Sequence, residues 1–140
     1  MGDQSEMMTR KHPQEAELKI ASWNVHVLTR NKLQKTDFIN TICKNDIIFV
    51  YETWTSKNSS LQINGFECYN FYRRYQNRRA KRSSGGVVLY IRNSIAKGID
   101  IVKNHHDSII WIKLRKCLFN FDSAIFVAGM FGLRIHQCTM

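Results

Sequence analysis

The sequence predicts an α/β fold on three observations. Ile47-Ile48-Phe49-Val50 is an unbroken apolar run, the composition of a strand covered on both faces, as in a parallel sheet. A second strand pattern, Lys19 to Val25, precedes it, and Phe38, Ile39, Ile42 and Cys43 between the two fall at helical spacing. Farther on, Val87 to Arg92, Ile109 to Leu114 and Ser123 to Phe131 read as strands with no helix between them, which implies an antiparallel meander. The first three segments make one β-α-β unit. Parallel strands joined by a crossover helix end on the same sheet edge, so Asn24 and Glu52 share that edge, where open α/β sheets bind ligands.

In chain order, residues 1–17 are polar and aperiodic around a single proline, Pro13, and are expected to be a disordered leader. Thr29 to Lys32 turns the chain into the crossover helix, and Asn45-Asp46 leads out of it. Thr55 to Ser60 is a polar loop, Asn64-Gly65 a turn, and Phe66 to Phe71 a short aromatic-rich strand. Next comes the most basic segment, in which Arg73, Arg74, Arg78, Arg79, Lys81 and Arg82 fall within ten residues. No acid occurs from Cys68 to Ile99 to neutralise them. Gly85-Gly86 opens the strand at Val87, and Ile99 to Val102 reads as a short edge strand. Lys116 to Phe121 is expected to be a hairpin loop. Gly132 to Met140 shows no pattern that continues the fold.

The totals bound the rest. A chain of 140 residues with 44% hydrophobic content supports one domain with a core. Its 21 Lys and Arg against 11 Asp and Glu give a formal net charge of +10, which favours polyanionic partners, nucleic acid or an anionic membrane surface. Cys43, Cys68, Cys117 and Cys138 are widely spaced, so a zinc site or redox pair is not indicated and reduced thiols are expected. With no apolar run near the roughly 18 residues of a membrane span and no signal-peptide core, an intracellular, nuclear or cytoplasmic location is expected. No obligate protein partner is evident.

Four motifs in order carry a resemblance: Ser22-Trp23-Asn24-Val25, Tyr51-Glu52-Thr53-Trp54, Gly85 to Ile91, and Asp107 followed by Ile110 to Leu114. Together they resemble the endonuclease/exonuclease/phosphatase superfamily, specifically the apurinic-type endonuclease domain of LINE-like (non-LTR) retrotransposons, from about Lys19 to Phe131. The resemblance implies a partial four-layer α/β sandwich of the DNase I-like kind. It also implies a divalent metal, usually Mg²⁺, and hydrolysis of a DNA phosphodiester. It makes Glu52 the metal-binding glutamate and Asn24 the active-site asparagine beside the scissile phosphate.

Several departures stand out. His26 and Val27 occupy positions where relatives often have a small polar residue and a glycine. Phe131-Gly132 replaces a tyrosine followed by prolines, and no Asp-x-Asn segment or terminal Asp-His pair follows. The expectation is therefore the N-terminal portion of such a domain, residues 18–131, catalytically incomplete, with an unrelated tail at 132–140. The alternative is an inactive basic remnant that binds nucleic acid.

Each candidate has a plainer explanation. Glu52 is either a metal ligand or a solvated strand-end carboxylate, and Asn24 either contacts phosphate or bonds its own backbone in a turn. Arg73 to Arg82, with Tyr72 and Tyr75, either grips a nucleic-acid backbone or is a solvated loop. His105-His106-Asp107 fits a polar turn better than a metal cluster. Trp23, Trp54 and Trp111 suit core or rim packing, the last within an apolar strand.

Overall fold

A computed structural model describes residues 18–72, 85–102, 110–115, 124–129 and 132–137. The predicted β-α-β unit is present. Strand β1 (Ile20–Asn24) runs parallel to β2 (Ile47–Tyr51), with Ile20 opposite Ile47 and Asn24 opposite Tyr51. The crossover holds two helices where the sequence predicts one. Thr29 caps α1 (Arg30–Gln34) by accepting the Lys32 amide at 3.2 Å, and Lys35 then turns extended at φ −73° and ψ 129°, which ends the first helix. Helix α2 (Thr36–Cys43) restarts beyond it, with Asp37 complementing the dipole in its first turn. Phe38 and Ile42 are buried as the helical spacing predicts, and Trp23 stacks on Phe38 at 5.0 Å between ring centroids. Cys43 departs from that stripe and is exposed, because the helix ends there and turns its last residue away from the sheet.

Strands β3 (Phe66–Phe71) and β4 (Val87–Arg92) complete the first sheet in the order β1-β2-β4-β3, with β4 antiparallel to both neighbours. The two central strands, β2 and β4, are buried on both faces, which accounts for their unbroken apolar runs. On one face Ile48, Val50, Val88 and Tyr90 pack under Phe38, Ile42, Leu61 and Ile63. On the other, Ile47, Phe49, Val87, Leu89 and Ile91 meet Ile99, Ile110, Ile112 and Leu114 of a second sheet. The result is a helix layer, a mixed sheet and an antiparallel sheet, a partial α/β sandwich. Fully burying each of these aliphatic side chains stabilises the fold by about 1.5–3 kcal/mol.

A short 3-10 turn at Ala96–Gly98 carries the chain from one sheet to the other. The second sheet is an antiparallel meander, as predicted for its two middle strands: β5 (Ile99–Val102), β6 (Ile110–Leu114), β7 (Ala124–Gly129) and β8 (Gly132–Gln137), each antiparallel to the next. Strand β4 does not join this meander, because its partners are β2 and β3. Strand β8 corrects the expectation that the chain adds nothing after Phe131, since Gly132 to Gln137 pairs residue by residue with β7. Trp111 also departs from expectation. It is half-buried on the outward side of β6, and Ile110, Ile112 and Leu114 fill the core instead. The leader, the basic segment 73–84, the His105-His106-Asp107 group and the 116–121 loop lie outside the described residues.

Arg92 and Asp46 bind the far end of the first sheet together. The guanidinium donates to Asp46 Oδ1 at 3.0 Å and to the carbonyls of Cys43 and Asn45 at 2.6 and 2.8 Å, and it lies 4.9 Å over the Phe66 ring. Asp46 Oδ2 accepts the Lys19 amide at 2.9 Å. The C-terminus of α2 and the ends of all four strands in that sheet therefore meet at one ion pair, opposite the edge that carries Asn24 and Glu52.

Candidate functional site

Because β1, β2 and β3 run the same way, their carboxyl ends open on one edge, where β4 begins. The parallel register places Asn24 opposite Tyr51, so Glu52 follows one residue beyond it on the same rim. Three hydrogen bonds lock the loop after β1 to the loop after β2. The amide of Val25 donates to the Tyr51 carbonyl at 3.2 Å, Val27 to Glu52 at 2.8 Å and Leu28 to Thr53 at 2.8 Å. On the other flank the amides of Thr53 and Trp54 donate to the carbonyls of Gly86 and Gly85 at 3.4 and 2.9 Å. Glu52 thus sits on a strip of backbone clamped from both sides.

That strip is bent sharply. Glu52 has φ 58° and Trp54 φ 52°, while His26 and Val27 across from them have φ 43° and 77°. Residues with a Cβ held in this left-handed region cost of order 1–3 kcal/mol each and persist where the surroundings over-determine them. Gly85 and Gly86, at φ 74° and 89°, adopt the same region without that penalty. Valine here accepts a conformation that glycine takes freely.

The Asn24 side chain makes the turn contact that its plainer explanation anticipates: Oδ1 accepts the His26 amide at 3.1 Å. Its Nδ2 group is not used by that turn. Glu52 is half-buried, and its Oε2 accepts the Trp54 indole N–H at 3.0 Å. The bond fixes the carboxylate by a neutral donor and leaves its charge uncompensated by that contact. Among the described residues no group of three or more His, Cys, Asp and Glu side chains converges as a metal centre. A single carboxylate does fit the way Mg²⁺ is commonly held, by one or two protein carboxylates with waters and substrate phosphates making up the shell.

Sequence inspection did not anticipate the polar support beneath this rim. Thr53 and Thr55 are buried, with their hydroxyls 3.4 Å apart. Thr55 donates to Asn70 Oδ1 at 2.7 Å, and Asn70 Nδ2 donates to the Ser56 carbonyl at 2.9 Å. The network ties the Glu52 loop to β3. Threonines at alternate positions after an apolar strand were its only trace in the sequence. Beside the rim, Leu28, Arg30, Asn58, Ser59 and Leu61 help line a cleft of about 340 Å³. Of the predicted nucleic-acid contacts, Arg73 to Arg82 lie outside the described residues. Tyr72 and Gly85, which bracket the segment 73–84, both stand at the same edge as Glu52.

No helix among the described residues is long and apolar enough to cross a membrane. A sequence model described as the Endonuclease/Exonuclease/phosphatase family matches residues 21–129. No curated protein matches the chain.

Proposed function

Because the chain belongs to the endonuclease/exonuclease/phosphatase family, we propose that its carboxyl-edge rim is the phosphate- and metal-holding half of a DNA endonuclease site. The source we infer is the apurinic-type domain of a LINE-like retrotransposon. The observation that carries this proposal is the placement of Asn24 and Glu52 on one rim by the parallel register of β1 and β2.

Each residue has a definite part. The Asn24 Nδ2 group donates to a phosphate oxygen while Oδ1 holds the turn. Glu52, steadied by the Trp54 indole, offers the carboxylate that would hold Mg²⁺. A divalent cation there supplies charge neutralisation for the phosphodiester. Arg73, Arg74, Arg78, Arg79, Lys81 and Arg82 supply the backbone grip, since Tyr72 and Gly85, which bracket their segment, stand at this rim. Phosphate contacts of this kind give affinity without reading sequence.

We further propose that this half-site is catalytically incomplete. Among the described residues it holds one carboxylate and one amide, and general acid–base assistance typically contributes about 10²–10⁴-fold. A plasmid-nicking assay with Mg²⁺ tests this directly. The expected result is no nicking above the level of Glu52→Ala. Nicking that Glu52→Ala abolishes would show a complete active site and overturn the incompleteness. DNA binding should weaken steeply with salt, and neutralising Arg73, Arg74, Arg78 and Arg79 together should flatten the log–log slope by about 3–4. An unchanged slope would remove the arginine segment from the interface.

A further inference from the structure

Lys32 reaches from α1 back over the loop that follows β1. Its ammonium donates to three successive backbone carbonyls: that of Val25, that of His26 at 3.2 Å and that of Val27 at 3.0 Å. A lysine ammonium has three N–H donors, so these carbonyls match its capacity. The stem is fixed at its root as well. The Lys32 amide donates to Thr29 Oγ1 at 3.2 Å, and its carbonyl accepts the Lys35 amide at 3.1 Å.

Two of the residues that carry these carbonyls, His26 and Val27, are left-handed, at φ 43° and 77°. Three carbonyl oxygens gathered on one ammonium would, without a cation, be a cluster of like dipoles. The same loop supplies the Val27 and Leu28 amides that bind the Glu52 and Thr53 carbonyls, and the His26 amide that binds Asn24. Whatever holds the carbonyls together also sets the distance between the two arms of the rim.

We propose that residues 25–27 form a binding site for a primary ammonium group and that Lys32, as its tethered occupant, is a positioning residue for Asn24 and Glu52. The site selects a compact cation with several N–H donors. A planar guanidinium or a quaternary ammonium does not meet that requirement. The proposal concerns the shape of the rim and stands whether or not the rim supports hydrolysis.

The test is chemical rescue in the full chain. Lys32→Ala removes three methylenes and the ammonium, the atoms of n-propylammonium. The variant should exchange its Val27 and Leu28 amide hydrogens at least about tenfold faster, as expected when a charge-assisted hydrogen bond is lost. Exchange at Val50 in β2 should stay unchanged. Added n-propylammonium chloride should restore slow exchange at Val27 and Leu28, and tetramethylammonium chloride at equal concentration should not. Lys32→Met, which keeps the apolar stem, should show the same acceleration without rescue.

The proposal fails if Lys32→Ala leaves the two amides protected, or if the two ammonium salts act alike. It also fails if Lys32→Met retains wild-type protection. Should Lys32→Ala lose its cooperative melt, n-propylammonium must restore one, and its failure to do so is equally decisive.

Discussion

Replacing Gly86 by alanine tests whether the Glu52 rim is set by close backbone packing. Gly86 has φ +89°, and a Cβ placed there would meet Thr53 Oγ1 at 3.1 Å, the Phe71 carbonyl oxygen at 3.4 Å and Tyr72 Cα at 3.6 Å. The left-handed backbone costs alanine about 1–2 kcal/mol relative to glycine. Thr53 is fully buried and its hydroxyl lies against Thr55, so it yields only by disturbing that network, at about 1 kcal/mol more. Restricting the unfolded chain returns about 0.4–1 kcal/mol. The net loss is about 2 kcal/mol, or about 5–10 °C in Tm for a domain of this size. Thermal unfolding followed by circular dichroism measures it. Thr53→Ala in the same chain removes the hydroxyl that the new methyl meets, so the double variant should be about 1 kcal/mol more stable than the sum of the single changes. A Tm shift of Gly86→Ala within about 2 °C, or strict additivity in the cycle, would refute the packing argument.

Three further outcomes follow from other contacts. Val27→Gly should stabilise the fold by about 0.5–1 kcal/mol in urea denaturation, because it relieves a β-branched residue at φ 77° at the expense of a partly buried side chain. Arg92→Met should destabilise by about 2–3 kcal/mol, since it takes the guanidinium from Asp46 Oδ1 and leaves the Cys43 and Asn45 carbonyls without that donor. A loss below about 1 kcal/mol in the same titration would mean solvent replaces those contacts. Burial pushes the Cys68 thiol up to about 11, against a weaker opposing effect of its bond to Tyr90, whereas Cys43 is exposed. Peptide mapping after iodoacetamide at neutral pH should therefore find Cys43 alkylated well before Cys68.

The β1-α-β2 unit was legible because each of its signals is local. The run Ile47 to Val50 and the pair Phe38 and Ile42 state their burial directly. The pairing of β2 with β4 was not legible, because residues 52–86 separate the two strands and no local pattern distinguishes a strand that joins the first sheet from one that joins the second. Strand β8 was missed for a related reason: in Gly-Leu-Arg-Ile-His-Gln only Leu133 to His136 alternate apolar and polar, a run too short to stand out, and the segment is a strand by its pairing with β7. At the rim, residue types pointed to Asn24 and Glu52, and the parallel register brings both to one edge. The backbone that holds them, with left-handed His26, Val27, Glu52 and Trp54, leaves no compositional mark. Nor does the Lys32 ammonium, which reads in sequence as one more surface charge.

The direction shared by β1, β2 and β3 has an evolutionary corollary. The stretches 25–29 and 52–61 depart from one end of the sandwich, where Tyr72 and Gly85 also stand, and the ion pair that ties the strands lies at the other. Substitutions at the exposed residues of the two stretches, such as His26, Lys57 and Asn58, can change the surface at the rim, whereas Val25, Leu28, Thr53, Thr55 and Leu61 in the same stretches are buried and stay tied to the stability of the layers. A lineage of such chains can therefore diverge fastest at those exposed positions and slowest in its interior.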